Sequence, residues 1–236
     1  MQRYFVDIID NKVIFNDGDE HHILHVMRMK KSDELIAINQ GQEYLCEIVF
    51  TSPLQVKLKE KLTTNNELNK KVTLFFALAK GDKNELVIQK ACELGVSRIV
   101  LIKTRYCVSK FDDITTSKKI KRYISIAKEA CEQCHRQLIP EILGVYDIDK
   151  IPANLLAGNN YVAYEKYNGC NCLKANGDSI SVLIGPEGGL DKSEIELLVE
   201  KYGFKPISLG KRILRTETAA ISALSVLGYL IEYESV

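Results

Sequence analysis

Ile180-Ser181-Val182-Leu183-Ile184-Gly185-Pro186-Glu187-Gly188-Gly189-Leu190-Asp191-Lys192-Ser193-Glu194 is the stretch that decides the fold. Its first five residues are too apolar for a strand with one wet face, so they suit a parallel sheet covered on both sides. Asp191, followed three positions later by Glu194, has the form of a capping box. Ile195, Leu198, Val199 and Tyr202 then fall on one helical face before Gly203. Gly185 to Gly189 therefore joins the carboxyl end of a strand to a helix, the place where open α/β sheets put their ligands. Three glycines let a main chain approach a ligand closely, although a tight turn without a ligand would use them too.

Working outward, Val72 to Leu78, Ile99 to Ile102 and Tyr161 to Ala163 have the same near-continuous apolar texture. Helical patterns alternate with them. Leu86, Val87, Ala91 and Leu94 mark a helix over Asn84 to Leu94, with Gly95 placed for a left-handed cap. A second helix is predicted from Ser117 to Gln137, stopping before Pro140, and a third from Thr218 to Tyr233. The expected class is α/β, a parallel sheet with helices on both faces. Upstream, Lys61 to Lys71 is polar and aperiodic, as a linker would be. Before it, Gln42 to Phe50 and Gln55 to Lys59 alternate with period two and Asn39-Gln40-Gly41 offers a turn, which predicts a small β-barrel. Two domains follow, 1–70 and 72–236.

The 236 residues are 46% hydrophobic and 27% charged, and 32 Lys plus Arg face 31 Asp plus Glu for a net charge of +1. That balance excludes a polybasic protein binding nucleic acid by charge alone, so any RNA site must be local. The longest mostly apolar stretch, Ala219 to Ile231, is broken by Ser222, Ser225 and Gly228 and falls short of the ~20 residues a bilayer span needs. The start, Met1-Gln2-Arg3-Tyr4-Phe5, meets Asp7 and Asp10 before any apolar run, unlike a secretory signal. Both readings place the chain in the cytoplasm, where its seven cysteines would stay reduced.

Leu209-Gly210-Lys211-Arg212-Ile213-Leu214-Arg215-Thr216-Glu217 runs into the C-terminal apolar helix. Three cations beside a glycine suit a polyanion, or a solvated loop at a sheet edge. The helix that follows has more apolar faces than one sheet can cover, which implies deep burial or a dimer interface. Cys131-Glu132-Gln133-Cys134-His135 has the letters of a haem-attachment motif, but it lies within a helical pattern and haem attachment belongs to exported chains. His21, His22 and His25, followed by Arg28, Lys30 and Lys31, can share one helical turn. They suit an RNA-facing patch first, a structural cap second and a metal third. Lys118, Lys119, Lys121 and Arg122 read as a solvated helix face. No G-x-G-x-x-G or G-x-x-x-x-G-K-[ST] occurs, which argues against a dinucleotide or nucleoside triphosphate.

Taken in order, Arg3-Tyr4-Phe5, His22 to Arg28, Lys80-Gly81-Asp82-Lys83, Glu93-Leu94-Gly95-Val96, Glu129-Ala130 with Gln133 and Arg136, Ile184 to Gly189, and Leu209 to Ala219 resemble one family. It is the bacterial 16S ribosomal RNA (uracil-N3)-methyltransferase family of the SPOUT superfamily, and the resemblance spans essentially the whole chain. Two departures are Ser32-Asp33 where the family usually has Gly-Asp, and Cys134-His135 where it often has Ser-Gly.

The resemblance implies a PUA-like RNA-binding β-barrel over 1–70, a SPOUT methyltransferase domain with a trefoil knot over 72–236, a homodimer, and S-adenosylmethionine (SAM) as cofactor. Its substrate would be 16S rRNA in the small ribosomal subunit, with no metal and no membrane involved. Cofactor-binding residues carried over are Tyr164, Glu165, Ile184, Gly185, Pro186, Glu187, Gly188, Gly189, Leu209, Gly210, Ile213 and Leu214. Backbone groups at Gly185, Gly188 and Gly210 would hydrogen-bond adenine and ribose, while Ile184, Leu209, Ile213 and Leu214 would form an apolar slot. Arg215 is expected to stabilise the uracil anion, and Glu217 to accept the N3 proton or to orient Arg215, with a purely structural salt bridge between the two as the other reading. Arg3, His22, Arg28, Arg136, Lys211 and Arg212 are the expected RNA contacts. Two other readings remain open: a related SPOUT enzyme acting on ribose 2′-O or on transfer RNA, and a non-catalytic RNA-binding assembly factor.

Overall fold

The structure, a computed structural model, describes residues 1–107 and 113–233, with the backbone alone for 113–115. The chain forms two compact units: Met1–Glu67 with Cys131–Ile139, and Leu68–Ala130 with Pro140–Val236.

In the first unit, β1 (Arg3–Phe5), β2 (Asp7–Ile9) and β3 (Lys12–Ile14) precede α1 (Asp17–His21), a π-helical stretch (His22–Val26), β4 (Glu34–Asn39), β5 (Gln42–Thr51) and β6 (Leu54–Lys61). The main ladder has the order β1-β4-β5-β6, and β2 and β3 pair as a separate hairpin. β1 runs parallel to β4, and the other neighbours are antiparallel. Asn16 caps α1 by accepting the Asp19 N–H at 2.8 Å. Alternate residues of β4 and β5, Leu35, Ala37, Cys46 and Ile48, meet Tyr4, Phe15 and Ile23 in one core. Burial pushes the Cys46 thiol up to about 11, so it behaves there as a small hydrophobe.

Lys61 to Lys71 is not the featureless linker the composition suggests, because Thr64 and Glu67 clasp residues 131–139 onto this unit. Glu67 pairs with Arg136 at 2.6 Å and accepts the N–H groups of Gln137 and Leu138 at 2.9 and 3.1 Å. Glu43, 2% exposed, accepts from Gln137 Nε2 at 2.8 Å and from the Thr64 hydroxyl at 2.6 Å, and pairs with Arg3. Two expected RNA contacts are corrected by this geometry. Arg3 and Arg136 spend their charge on internal carboxylates, and Arg136 is only 4% exposed, so neither is a free surface cation.

In the second unit, β7 (Lys71–Ala77), α2 (Lys83–Glu93), β8 (Arg98–Lys103), α3 (Asp113–Gln133), β9 (Glu141–Asp147) and β10 (Asn159–Ala163) come first. β11 (Ser179–Ile184), α4 (Lys192–Tyr202), β12 (Lys205–Ile207) and α5 (Thr216–Tyr233) complete it. The six strands have the order β12-β10-β11-β7-β8-β9 and are parallel throughout. Period two puts Phe75, Ala77, Val100, Ile102, Val162 and Leu183 on one face, against Ile195, Leu198 and Tyr202 of α4. The alternate residues Leu74, Phe76, Ile99, Leu101 and Val182 are equally buried on the other face. The sheet therefore has two covered faces, which is why its strands lack polar alternation.

Local signals place several helix ends. The Asp191–Glu194 capping box forms, and Gly203 closes α4 at φ +68. Gly95 follows α2 at φ +81. Two helical expectations are corrected. Val199 points to solvent, and α3 ends at Gln133, four residues before the predicted stop, where His135 turns left-handed at φ +63. No helix of the described residues is long and apolar enough to cross a membrane.

Glu67→Ala removes the carboxylate that pairs with buried Arg136 and accepts the Gln137 and Leu138 N–H groups, a loss of about 3 kcal/mol for an ion pair shut away from water. Denaturant titration followed by tyrosine fluorescence should show that loss, and a change under about 1 kcal/mol would be too small for a buried pair.

Candidate active site

The chain leaves β7, goes out through β8 and β9, and returns to the opposite side of β7 for the remaining strands. Such a reversal opens a crevice at the carboxyl ends of the strands flanking it. A cleft of about 560 Å³ lies there, walled by the segments that follow β10, β11 and β12 together with Lys83 of α2. Tyr164 and Glu165 come from the first segment, Ile184 to Leu190 from the second, and Ser208 to Thr216 from the third. All twelve cofactor residues expected from the sequence line this one cleft. Arg215, Lys211 and Arg212 line it too.

The glycine loop is tightly built. Its turn is closed by the Gly189 N–H donating to the Pro186 carbonyl at 2.9 Å, with Gly189 at φ +75. A Cβ on Gly188 would stand 2.8 Å from Tyr106 Cβ, and one on Gly185 would stand 3.0 Å from Leu190 Cγ. Glycine is thus required at these positions by the neighbours as well as by the turn. Behind the loop, the Tyr106 hydroxyl donates to Asp191 Oδ2 at 3.0 Å, and the Arg105 guanidinium lies 3.1 Å from the same oxygen. Ser193 donates to the other oxygen, and these bonds hold the Asp191 carboxyl well below the usual carboxylate range. Glu194 meanwhile accepts the Arg105 N–H at 2.7 Å, which ties segment 104–107 to the start of α4.

The third segment is joined to the glycine loop by Thr216, whose hydroxyl donates to the Gly185 carbonyl. The Tyr164 N–H donates to the Ile207 carbonyl at 3.0 Å, fixing the first segment to β12. Ile184 is buried, and Leu209 and Leu214 are half-buried, so they supply the apolar wall. Ile213, expected in that slot, is 86% exposed at the rim.

The catalytic expectation divides. Arg215 is exposed and lines the cleft, whereas Glu217 stands behind the wall, its side chain 14% exposed and its Oε2 without a hydrogen-bond donor. That position fits orientation of a cation better than acceptance of a substrate proton. Between Glu217 and the cleft lies Lys83, to which the sequence assigned no role. Its Nζ is 2.9 Å from Glu187 Oε1 and 3.7 Å from Glu217 Oε2. The signal for it was present in Lys80-Gly81-Asp82-Lys83, but no spacing rule connects a helix start at 83 with a loop at 187.

In the first unit, the His22 ring pairs with the Tyr4 hydroxyl at 2.9 Å, while His21 and His25 stack at 4.9 Å on the exposed side. Arg28 is exposed at φ +52. Among the described residues, no three His, Cys, Asp or Glu side chains gather closely enough to hold a metal ion.

A parallel sheet with three loops around one cleft defines an α/β protein with its ligand site at the carboxyl ends of the strands, and the family matches give its class. A family described as RNA methyltransferase domain matches residues 66–228, and one described as RNA methyltransferase PUA domain matches 15–61. The chain belongs to the ribosomal RNA small subunit methyltransferase E family. It is 37% identical to the Bacillus subtilis protein of that name, covering 98% of each chain. A Legionella pneumophila protein solved with bound SAM is 31% identical, with TM-score 0.86 over 95% of this chain and 96% of that one. The Neisseria gonorrhoeae ribosomal RNA small subunit methyltransferase E, bound to S-adenosyl methionine, is 26% identical, with TM-score 0.86 over 98% of both chains.

The cleft fits such a cofactor, since its lining is apolar at Ile184, Leu209 and Leu214 and carries no side chain at Gly185, Gly188, Gly189 and Gly210. Gly188→Ala should push the loop off Tyr106 and weaken SAM binding about tenfold, the effect of roughly 1.4 kcal/mol of strain. Calorimetric titration with SAM checks this, and an unchanged affinity would mean the loop does not hold the cofactor.

Proposed function

We propose that the protein methylates N3 of a specific uridine in 16S rRNA, using SAM, on the assembled small ribosomal subunit in the cytoplasm. The observation that carries this reading is the convergence of all three cofactor segments on one cleft whose rim holds Arg215, Lys211 and Arg212. SAM, when bound, supplies an electrophilic methyl on a sulfonium centre. Ile184, Leu209 and Leu214 would hold the adenine by apolar contact, and the main chain at Gly185, Gly188 and Gly210 would hydrogen-bond its polar edges. Residues so placed would orient the cofactor and exclude water from it.

The target base must leave its stack to reach the cleft. Uracil N3 is a weakly acidic imide and attacks only as it loses its proton, so the site must stabilise negative charge on the ring. Arg215 does this from the rim, and Glu217, set behind it, orients the cationic groups. Lys211 and Arg212 on the second unit, and His22 and Arg28 on the first, contact the RNA backbone. A net charge of +1 gives little general attraction for RNA, so recognition relies on phosphates presented in fixed geometry by the subunit.

The protein is further proposed to act as a homodimer with a trefoil-knotted catalytic domain. Exposed Val226, Tyr229 and Tyr233 on α5 support the dimer. Insertion of β11 between β10 and β7 after both are laid down supports the knot.

Incubation with labelled SAM and subunits lacking the modification, followed by nucleoside analysis, should place the label in 3-methyluridine. Arg215→Ala should lower turnover by about 100-fold or more, as loss of a charge-stabilising donor does, with SAM affinity unchanged. Label in a 2′-O-methyl nucleoside, or full activity in that variant, would overturn the assignment.

A further inference from the structure

Lys83 opens α2 and lines the cleft. A cation on the first turn of a helix opposes the macrodipole, so the helix alone gives no reason for it. Its surroundings do. Glu187 from the glycine loop accepts a hydrogen bond from Nζ at 2.9 Å, and Glu217 from the start of α5 lies 3.7 Å away. Glu217 Oε2 is shut off from solvent and no hydrogen-bond donor reaches it, and Lys83 is the cation that faces it. The hydrogen bond to Glu187 in turn holds the Lys83 ammonium above the usual lysine range. Lys83 therefore stays protonated at neutral pH and cannot take a proton from substrate.

Of its three N–H bonds, one goes to Glu187, and Glu217 is beyond hydrogen-bond distance. Arg215 lines the same cleft, near enough that its charge opposes that of Lys83. Two cations are thus gathered at one small site against their mutual repulsion, with Glu187 beside them on the lining and Glu217 set back from it. That arrangement is useful where negative charge develops in front of them. An N3-deprotonated uracil has that charge, spread from N3 onto the two carbonyl oxygens on either side of it.

We propose that Lys83 is a further catalytic residue, donating a hydrogen bond to one uracil carbonyl oxygen while Arg215 serves the other. The proposal rests on the uracil-N3 reading above. The N3 proton passes to water at the open mouth of the cleft. The N3 electron pair forms the new bond to the methyl carbon as the carbon–sulfur bond breaks, and sulfur keeps that bonding pair. Lys83 holds its proton throughout. Glu217 acts on the reaction through Lys83 and is a positioning residue, while Glu187 holds Lys83 from the glycine loop that lines the cleft.

The test compares wild type, Lys83→Met and Lys83→Arg on small subunits containing either uracil or 5-fluorouracil, whose N3 is more acidic and whose anion needs less stabilisation. Lys83→Met should lower kcat by about 100-fold on uracil subunits with SAM affinity unchanged, and should lower the thermal midpoint because Glu217 loses the cation that faces it. The loss should be at least about threefold smaller on fluorinated subunits, and Lys83→Arg should recover most of the rate. An equal loss on both substrates, a loss traced to SAM affinity, or full activity in Lys83→Met would overturn the role of Lys83. Failure of the underlying reading looks different, because wild type itself would then label a nucleoside other than 3-methyluridine.

Discussion

An all-parallel sheet cannot be joined by hairpins, so every connection must cross a face and re-enter at the same end. In this chain that requirement governs the second unit. It covers both faces of the sheet and delivers the segments after β10, β11 and β12, with the start of α2 after β7, to one end of four adjacent strands. The cleft arises because those four strands straddle the point where the chain reverses direction across the sheet. The glycines and cations then determine what the cleft can hold.

The bonds that complete the site run between these segments and rarely within one. Thr216 reaches Gly185, Tyr164 reaches Ile207, Glu194 reaches Arg105, and Lys83 reaches Glu187 and Glu217. Each fixes one loop by means of another, so the site is organised before any ligand arrives. The glycine loop is held most firmly. Gly188 is pressed against Tyr106, and Asp191, two residues beyond Gly189, is bound by a tyrosine, an arginine and a serine.

Much of this was legible in the sequence because the signals were local. The apolar run before Gly185, the Asp191–Glu194 box, and Gly95 and Gly203 as helix ends each depend on residues a few positions apart, and the structure places them accordingly. That three distant segments would meet at one cleft was legible through motif resemblance, which carries long-range information that periodicity lacks. Pairings between distant residues were not legible. Arg3 and Arg136 look like surface cations until Glu43 and Glu67 are seen beside them. Glu217 looks like a substrate-facing group until Lys83 is seen between it and the cleft. Nothing in the sequence between 117 and 137 distinguishes a helix ending at Gln133 from one running further, since the stop comes from a left-handed residue that is not glycine.

The first unit is assembled from two separated pieces of chain, 1–67 and 131–139, and this has a consequence during synthesis. A chain emerging at about 5–20 residues per second leaves roughly 3–14 s between the appearance of Glu67 and that of its partner segment. For that interval Glu43 and Glu67 lack their arginine and glutamine partners from the later piece, while β7 and β8 of the other unit have already been made. The strands and core of the amino-terminal module lie within its first 61 residues and can form in that interval, but the clasp at Glu43 and Glu67 is completed only when the middle of the chain arrives.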